Sequence, residues 1–254
     1  MTRFVVGLLM LGLAVPALAQ EVEKDTPAKG EELTALEICK RADEATKAVK
    51  AVSYKAKFST TGEAAARSPE VEGTTVIAGE KKGTQPTLCY LDAVVKMPNS
   101  EESKHYTVGM TPDMSYLIDH ANKIAYADMD PGVIGSLGQG PRGLLMIEYC
   151  HPTPFNDEVT ADKQELRESV KIGDQDCYVV YVEYSGGRGK AVWYFSKKDF
   201  LPRRVDRILQ SATGANLGIM TTTLTDLKVD PKIDEDTFKL KLPEGYKKSD
   251  DFAP

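Results

Sequence analysis

The sequence has few of the residues that most often carry catalysis and metal binding. Its 254 residues include three histidines, four cysteines and one tryptophan. Positive charge is not clustered, and 32 Lys and Arg against 38 Asp and Glu give a net charge of −6. Nucleic acids and anionic membranes are bound through clustered positive charge, so the composition argues against both as electrostatic partners. With 41% hydrophobic and 28% charged residues, the chain is otherwise typical of a folded globular protein.

Recognisable catalytic and metal-binding motifs are also missing. No Cys-x-x-Cys pair occurs, and His105, His120 and His151 have no Cys or Ser partner at a motif spacing. The segment GQGPRG at residues 138–143 matches the G-x-G-x-x-G pattern of dinucleotide-binding loops, but no predicted strand leads into it. We therefore interpret its glycines as joints between short helices. The sequence predicts a protein that is not an enzyme and that uses no cofactor and no metal.

A membrane-spanning hydrophobic run is absent, and the nearest candidate lies at the N-terminus. The apolar stretch at residues 4–15 is well short of the roughly 20 apolar residues that span a bilayer. The small-residue triplet Ala-Leu-Ala that ends at Ala19 follows it, in the pattern of a secretory cleavage site. We predict a signal peptide over residues 1–19 that is cleaved near Ala19, a periplasmic location and no integral membrane span. A charged linker over residues 20–30 precedes the folded region.

The cysteines of an exported protein predict structural disulfides. Four cysteines allow three pairings, and strand directions counted along the chain choose between them. The count places Cys89 and Cys150 at one end of the sheet, and Cys39 and Cys177 at the opposite end. The predicted disulfides are Cys89–Cys150 and Cys39–Cys177. The open alternative is that some of these cysteines are buried free thiols.

Hydrophobic periodicity divides the chain into one helix, a series of strands and a central apolar insert. Residues 31–52 have apolar side chains at helical spacing and predict an amphipathic helix. From Ser53 the period changes to two, which is typical of half-buried strands, and short turns predict antiparallel pairing. Between residues 130 and 160, prolines and glycines break the pattern into two or three short apolar helices. The predicted strands cover residues 53–60, 71–79, 87–96, 104–110, 114–119, 123–128, 165–172, 177–184, 191–197, 203–210 and 218–229, with a last short strand at 237–240.

These elements predict one α+β domain of about eleven strands over residues 31–248, with a polar tail at residues 249–254. An antiparallel sheet with one apolar face must cover that face, and only the first helix and the insert are available. The pattern is compatible with a lidded apolar cavity and equally with an ordinary packed core. In a cavity, the ceiling is predicted to comprise Leu36, Leu137, Leu144 and Leu145. The floor is predicted to comprise Tyr54, Phe58, Tyr106, Val108, Met110, Val180 and Trp193.

Three short segments resemble a known family. They are WYFSKKDFLPRRV at residues 193–205, LKVDPKIDEDTF at residues 227–238 with LPEG at residues 242–245, and VSYKA at residues 52–56 after the first helix. This order is similar to that of the LolA/LolB-like superfamily of lipoprotein carriers, in an uncharacterised exported branch. The resemblance implies an incomplete, strongly curved antiparallel β-barrel, capped by the N-terminal helix and a central helical lid, whose concave apolar face receives acyl chains.

Two functional hypotheses follow. The first is a periplasmic carrier or chaperone that binds lipid acyl chains or lipoproteins in an apolar cavity. The second is an envelope-sensing or regulatory module that binds a protein partner of the envelope on the same fold. Both are non-enzymatic. Lipid recovered with the purified protein favours the first, whereas a bound peptide partner without lipid favours the second.

Overall fold

The computed structural model describes residues 33–83, 85–128 and 139–249. The predicted signal peptide and linker, Leu137 and residues 250–254 of the predicted tail lie outside the described residues. Residues 33–254 group into one compact unit.

Helix α1 spans Ala35–Ala48, so it is shorter at both ends than the predicted helix at residues 31–52. A capping box sets its start: the Thr34 hydroxyl accepts a hydrogen bond from the Glu37 amide at 3.2 Å, and the Glu37 carboxylate accepts one from the Thr34 amide at 2.8 Å. The backbone is already extended at Val49. The chain therefore passes directly from the helix into the first strand.

Twelve strands are present in the described part of the chain. Eleven of them match predicted strands to within two residues at each end. They are β1 (Ala51–Thr61), β2 (Glu70–Ala78), β3 (Leu88–Lys96), β4 (Ser103–Met110), β5 (Ser115–Asp119), β6 (Ile124–Asp128), β7 (Lys163–Ile172), β8 (Gln175–Glu183), β9 (Lys190–Ser196), β10 (Pro202–Gln210), β11 (Asn216–Val229) and β12 (Lys247–Ser249).

All twelve strands belong to one curled sheet, in the order β12-β6-β5-β4-β3-β2-β1-β11-β10-β9-β8-β7. Short turns join antiparallel neighbours within two runs, β1 to β6 and β7 to β11, as predicted. The runs meet where β11 pairs with β1, from Val52 opposite Val229 to Thr61 opposite Ile219. In the described residues β7 and β12 do not pair with each other. The predicted α+β fold with an incomplete barrel is thereby confirmed.

The end of the chain differs from the prediction. Instead of a strand at residues 237–240, a 3-10 helix forms at Glu235–Thr237, and the last strand is β12. Strand β12 pairs in parallel with β6, where Lys247 lies opposite Ile124. A three-residue strand is too short to show a period-two pattern in the sequence. Strand β12 forms because β6 would otherwise be an edge strand with backbone groups available for pairing.

The main core lies between one face of the sheet, called here the inner face, and a layer made of α1 and residues 139–162, called the insert. Its fully buried members include Ile38, Val52, Tyr54, Leu144, Met146, Phe155, Trp193 and Leu224. The outer face has smaller clusters of its own. One of them contains Tyr116 and Ile118, and Leu240 and Tyr246 of the C-terminal segment pack on it.

Candidate functional site

The insert crosses the inner face as an irregular chain with three single-turn elements. Helix α2 spans Gln139–Arg142, a 3-10 helix spans Ile147–Cys150, and helix α3 spans Asn156–Val159. Short helices are thus present in residues 139–160, the described part of the region for which two or three were predicted. Prolines and glycines keep each of them to about one turn.

Two glycines allow the first half of the insert to approach the sheet closely. A Cβ atom on Gly143 would lie 2.7 Å from the Phe58 ring, and one on Gly140 would lie 2.9 Å from a methyl group of Val95. Both distances are too short for real Cβ contacts. These glycines therefore act as packing contacts with β1 and β3, in addition to the joints that the sequence predicted.

Side-chain hydroxyls of the sheet hold the centre of the insert. The Tyr54 hydroxyl donates a hydrogen bond to the Leu144 carbonyl at 3.1 Å and accepts one from the Met146 amide at 3.0 Å. The Thr75 hydroxyl donates to the same carbonyl at 3.4 Å, and the Thr222 hydroxyl donates to the Gly143 carbonyl at 3.3 Å. Burial raises the pKa of Tyr54 well above its ordinary value, so this hydroxyl stays protonated.

Aromatic packing holds the second half of the insert. The Phe155 ring lies edge-on to the rings of Trp193 and Phe195, with both centroids 5.0 Å away. The Phe155 amide donates a hydrogen bond to the Asp43 carboxylate of α1 at 3.0 Å. The insert and α1 are therefore linked, and together they cover the inner face.

Most of the residues predicted to line a cavity lie in this core. Tyr54, Val108, Met110, Leu144, Val180 and Trp193 are buried in it, and Phe58, Tyr106 and Leu145 are half-buried against it. Leu36 is the exception, because it is 36% exposed on the outer side of α1. Ala35, Ile38 and Cys39 are on the buried side of α1. Successive residues of an α-helix are rotated by about 100° around its axis, so Leu36 points away from that side.

In the described residues, side chains of α1 and the insert pack on the apolar part of the inner face. A small cavity of about 10 Å³ lies at the junction of Val49, Ile77 and Cys150. That is about the room that one water molecule needs. The described part of the insert lies over the apolar face of the sheet.

The structure has neither of the two predicted disulfides, and all four cysteines are buried free thiols. Cys39, Cys89 and Cys150 all belong to the main core cluster, and burial together with the nearby Cys150 raises the pKa of Cys89. Cys177 does not share that cluster with Cys39. Successive side chains of β8 point to opposite faces of the sheet, and Cys177 points to the same face as Val179. Val179 packs in a cluster separate from the main core. The strand count considered the ends of the sheet but not its two faces.

Two polar clusters were missed by sequence reasoning. On the outer face, His105 and His120 stack with ring centroids 4.1 Å apart, and His105 contacts the Asp92 carboxylate at 2.6 Å. At the far end of the insert, Glu148 and Glu158 are buried beside a cleft. Neither cluster has a sequence motif. Two glutamates within a largely apolar segment were the one signal that could have indicated the second cluster.

The described residues contain neither a metal-binding cluster nor a membrane-spanning helix. Within them, no three or more His, Cys, Asp or Glu side chains are grouped so that they could hold a metal ion. In the same part of the chain, no helix has the length and apolar character to cross a membrane.

Comparisons with known proteins give similarity of structure only. No family model and no curated protein sequence matches the chain. The similar solved structures include LprF from Mycobacterium bovis, with a TM-score of 0.49 and 11% identity over 84% of this chain and 97% of that one. An uncharacterized conserved protein from Thermus thermophilus has a TM-score of 0.44 and 12% identity over 85% and 98% of the two chains. A LolA superfamily protein from Nitrosomonas europaea has a TM-score of 0.33 and 14% identity over 82% and 99%. The similar structures thus include a member of the superfamily that the sequence motifs resemble.

Proposed function

We propose that this chain is an exported, periplasmic lipid- or lipoprotein-binding carrier or chaperone whose inner face receives acyl chains when the insert moves away. The observation that carries this proposal is the way the insert is held. Leu144 and Met146 cover an apolar sheet face, yet the described residues of the insert add no strand to the sheet. Hydroxyl groups of three sheet residues hold its centre instead. We infer that such a segment can open as a unit of its own while the sheet stays folded.

The energetics allow an acyl chain to replace the insert. Each buried methylene contributes about 0.8 kcal/mol, and full burial of a Leu or Met side chain contributes about 1.5–3 kcal/mol. About two to four methylenes therefore offset one displaced side chain. A long acyl chain has enough methylenes to replace both Leu144 and Met146.

The point of entry that we infer is marked by half-buried apolar side chains at the margin of the core. Phe58, Tyr106, Tyr126 and Leu145 all pack against the core while remaining partly accessible. Phe58 also contacts the insert directly at Gly143. A ligand that entered here would meet the insert first, which is the order of events that the proposal requires.

The test compares two leucines with the same burial but different roles. Leu144 belongs to the insert and Leu224 to strand β11, and both are at most 1% exposed. Delipidated wild type, Leu144→Ala and Leu224→Ala are titrated with a fluorescent fatty acid, and native-state amide exchange is recorded for residues 139–153. We expect Leu144→Ala to speed exchange in the insert selectively and to bind the fatty acid more tightly than wild type. Leu224→Ala should lower global stability by about 2–5 kcal/mol without selective opening of the insert.

Saturable fatty-acid binding by the folded wild type, together with faster amide exchange in residues 139–153 when the fatty acid is bound, supports the carrier function. Absence of saturable fatty-acid binding by delipidated, folded wild type would contradict the carrier function. In that case the interaction module is the better account, and recovery of a bound envelope protein segment is the measurement that would establish it.

A further inference from the structure

A polar cleft of about 480 Å³ opens at the far end of the insert. Its walls come from the insert, from the turn between β8 and β9, and from β10. The charged and aromatic side chains that line it include Glu148, Asp157, Glu158, Tyr184, Arg188 and Arg207. The cleft adjoins the apolar core, where Arg207 packs over the Trp193 ring at 5.4 Å, but its lining is polar, so a role for it does not depend on acyl-chain binding.

Glu148 is buried in the wall of this cleft with only half of its carboxylate satisfied. Its side chain is 7% exposed, and Oε1 accepts a hydrogen bond from the Arg207 guanidinium at 2.9 Å. Oε2 is buried and has no hydrogen-bond partner among the described residues. Buried carboxylate oxygens are normally paired, so this oxygen lacks a donor that it would ordinarily have.

Glu158 is the second buried carboxylate of the cleft, at 4% exposure. Its Oε1 accepts a hydrogen bond from the Tyr184 hydroxyl at 2.6 Å, and that hydroxyl accepts one from the Trp193 indole at 3.1 Å. This chain of contacts fixes the carboxylate in place. Burial raises the pKa of Glu158 to about 7, and the negative charge of Glu148 adds to the effect, whereas the Tyr184 hydrogen bond opposes it.

At the inner end of the cleft, the two carboxylates of Glu148 and Glu158 outnumber the single guanidinium of Arg207. Of the described cations that line the cleft, Arg207 pairs with Glu148, and Arg188 pairs with Asp157 at 2.9 Å at the half-exposed rim. Glu158 has hydroxyl contact but no ion pair of its own among the described residues. An added cation at the inner end would face Glu158 and the unpartnered oxygen of Glu148 together.

We propose that this cleft binds the primary ammonium group of a small zwitterion, whose anionic group lies toward Arg188 at the rim. A primary ammonium has three donors and no acceptor, which suits Glu148 Oε2 and Glu158. The mixed charges of the lining suit a zwitterion better than a ligand with charge of one sign. Phosphoethanolamine, free or as a lipid headgroup, has this chemistry.

The experiment is isothermal titration of the full chain with O-phosphoethanolamine, with glycerol phosphate and ethanolamine as analogues that each lack one charge. We expect saturable binding of phosphoethanolamine and at least tenfold weaker binding of glycerol phosphate. Glu158→Gln keeps the shape and the Tyr184 contact but removes the charge, and should weaken binding at least tenfold. The same exchange at the exposed Glu168 should leave affinity unchanged.

Proton release gives an independent readout. The titratable and charged groups that influence Glu158 are Glu148, Tyr184, Arg207 and the Cys39 thiol of α1. A bound ammonium favours the charged form of Glu158, so binding at pH 7 should release protons and its enthalpy should vary with the ionisation enthalpy of the buffer. Affinity should weaken about tenfold for each pH unit below the ligand-free pKa. Glu158→Gln should lose both effects.

Short-chain phosphatidylethanolamine, used below its micelle concentration, separates the two sources of the headgroup. Tighter binding than that of phosphoethanolamine assigns a lipid ligand, and equal binding assigns the free headgroup. The proposal is overturned if phosphoethanolamine does not bind, if glycerol phosphate binds equally well, or if folded Glu158→Gln binds like wild type. Fatty-acid titration of the same variants tests the carrier function separately, because a fatty acid carries no ammonium group.

Discussion

The Tyr54 hydroxyl donates a hydrogen bond to the backbone carbonyl of Leu144, 90 residues away in sequence. The same hydroxyl accepts a hydrogen bond from the Met146 amide. One side chain of β1 therefore satisfies two buried backbone groups of the insert. This makes Tyr54 the single residue whose substitution should most directly free the insert.

Tyr54→Phe should loosen the insert while leaving the sheet intact. It keeps the buried ring but leaves the Met146 amide without its partner, which we expect to cost about 1–3 kcal/mol. Amide exchange in residues 139–150 should speed up more than exchange in β1 and β11. Tyr116→Phe is the matched control, because the Tyr116 hydroxyl donates to the Lys239 carbonyl on the outer face. Uniform loss of protection across the sheet would contradict a separable insert.

Stability should fall as pH rises through the titration of Glu158. Its pKa is raised from 4.5 to about 7, so the folded state holds this proton more tightly than the unfolded state. As pH rises from about 4.5 to about 7, this group therefore lowers the free energy of unfolding. Glu158→Gln should remove that slope and exceed wild type by roughly 3 kcal/mol at pH 8, measured by urea unfolding. An equal slope in both proteins would show that Glu158 ionises freely in the folded state.

The cysteines should be unreactive in the folded, reduced protein. Burial raises the pKa of Cys39 and of Cys150 to about 12, so at pH 8 both are neutral as well as inaccessible. A thiol reagent such as DTNB should react slowly before unfolding and with all four thiols in guanidinium. Non-reducing peptide mapping should recover all four cysteines without a disulfide. A Cys39–Cys177 peptide would contradict their placement on different faces.

The C-terminal segment should loosen in mild acid. His120 Nδ1 lies 3.1 Å from the Tyr246 hydroxyl, and burial together with neighbouring His105 lowers the pKa of His120. Because the folded state resists this protonation, the associated stability is present above about pH 6.5 and is lost as pH falls. Protection factors of amides in residues 239–249 should drop between pH 7 and pH 5. His120→Gln should flatten that response, whereas His151→Gln should retain it.

Local sequence patterns predicted most of the sheet. The period-two alternation from Ser53 is a property of neighbouring residues, because successive side chains of a strand point to opposite faces. Short turns then force antiparallel neighbours. These signals place β1 to β11 correctly, but they do not reach β12, whose existence depends on the edge of β6.

The candidate site could be predicted only in part, and Leu36 and Leu144 show why. Both are leucines on elements that cover the apolar face, and sequence assigned them the same role. Leu144 is fully buried, because its backbone is held by Tyr54, whereas Leu36 lies on the outer side of α1. The rotation of a helix about its axis depends on what it packs against, which its own periodicity describes only approximately.

The sequence by itself determined the periodicities and the turns, because each of these depends on residues a few positions apart. Tertiary structure alone decided that the insert packs on the inner face, that Cys177 lies away from Cys39, and that Glu148 and Glu158 share one cleft with Arg207. Each of these relationships joins segments that the chain brings together only by folding. Their pairing is set by burial and packing over the whole chain, which no local pattern records.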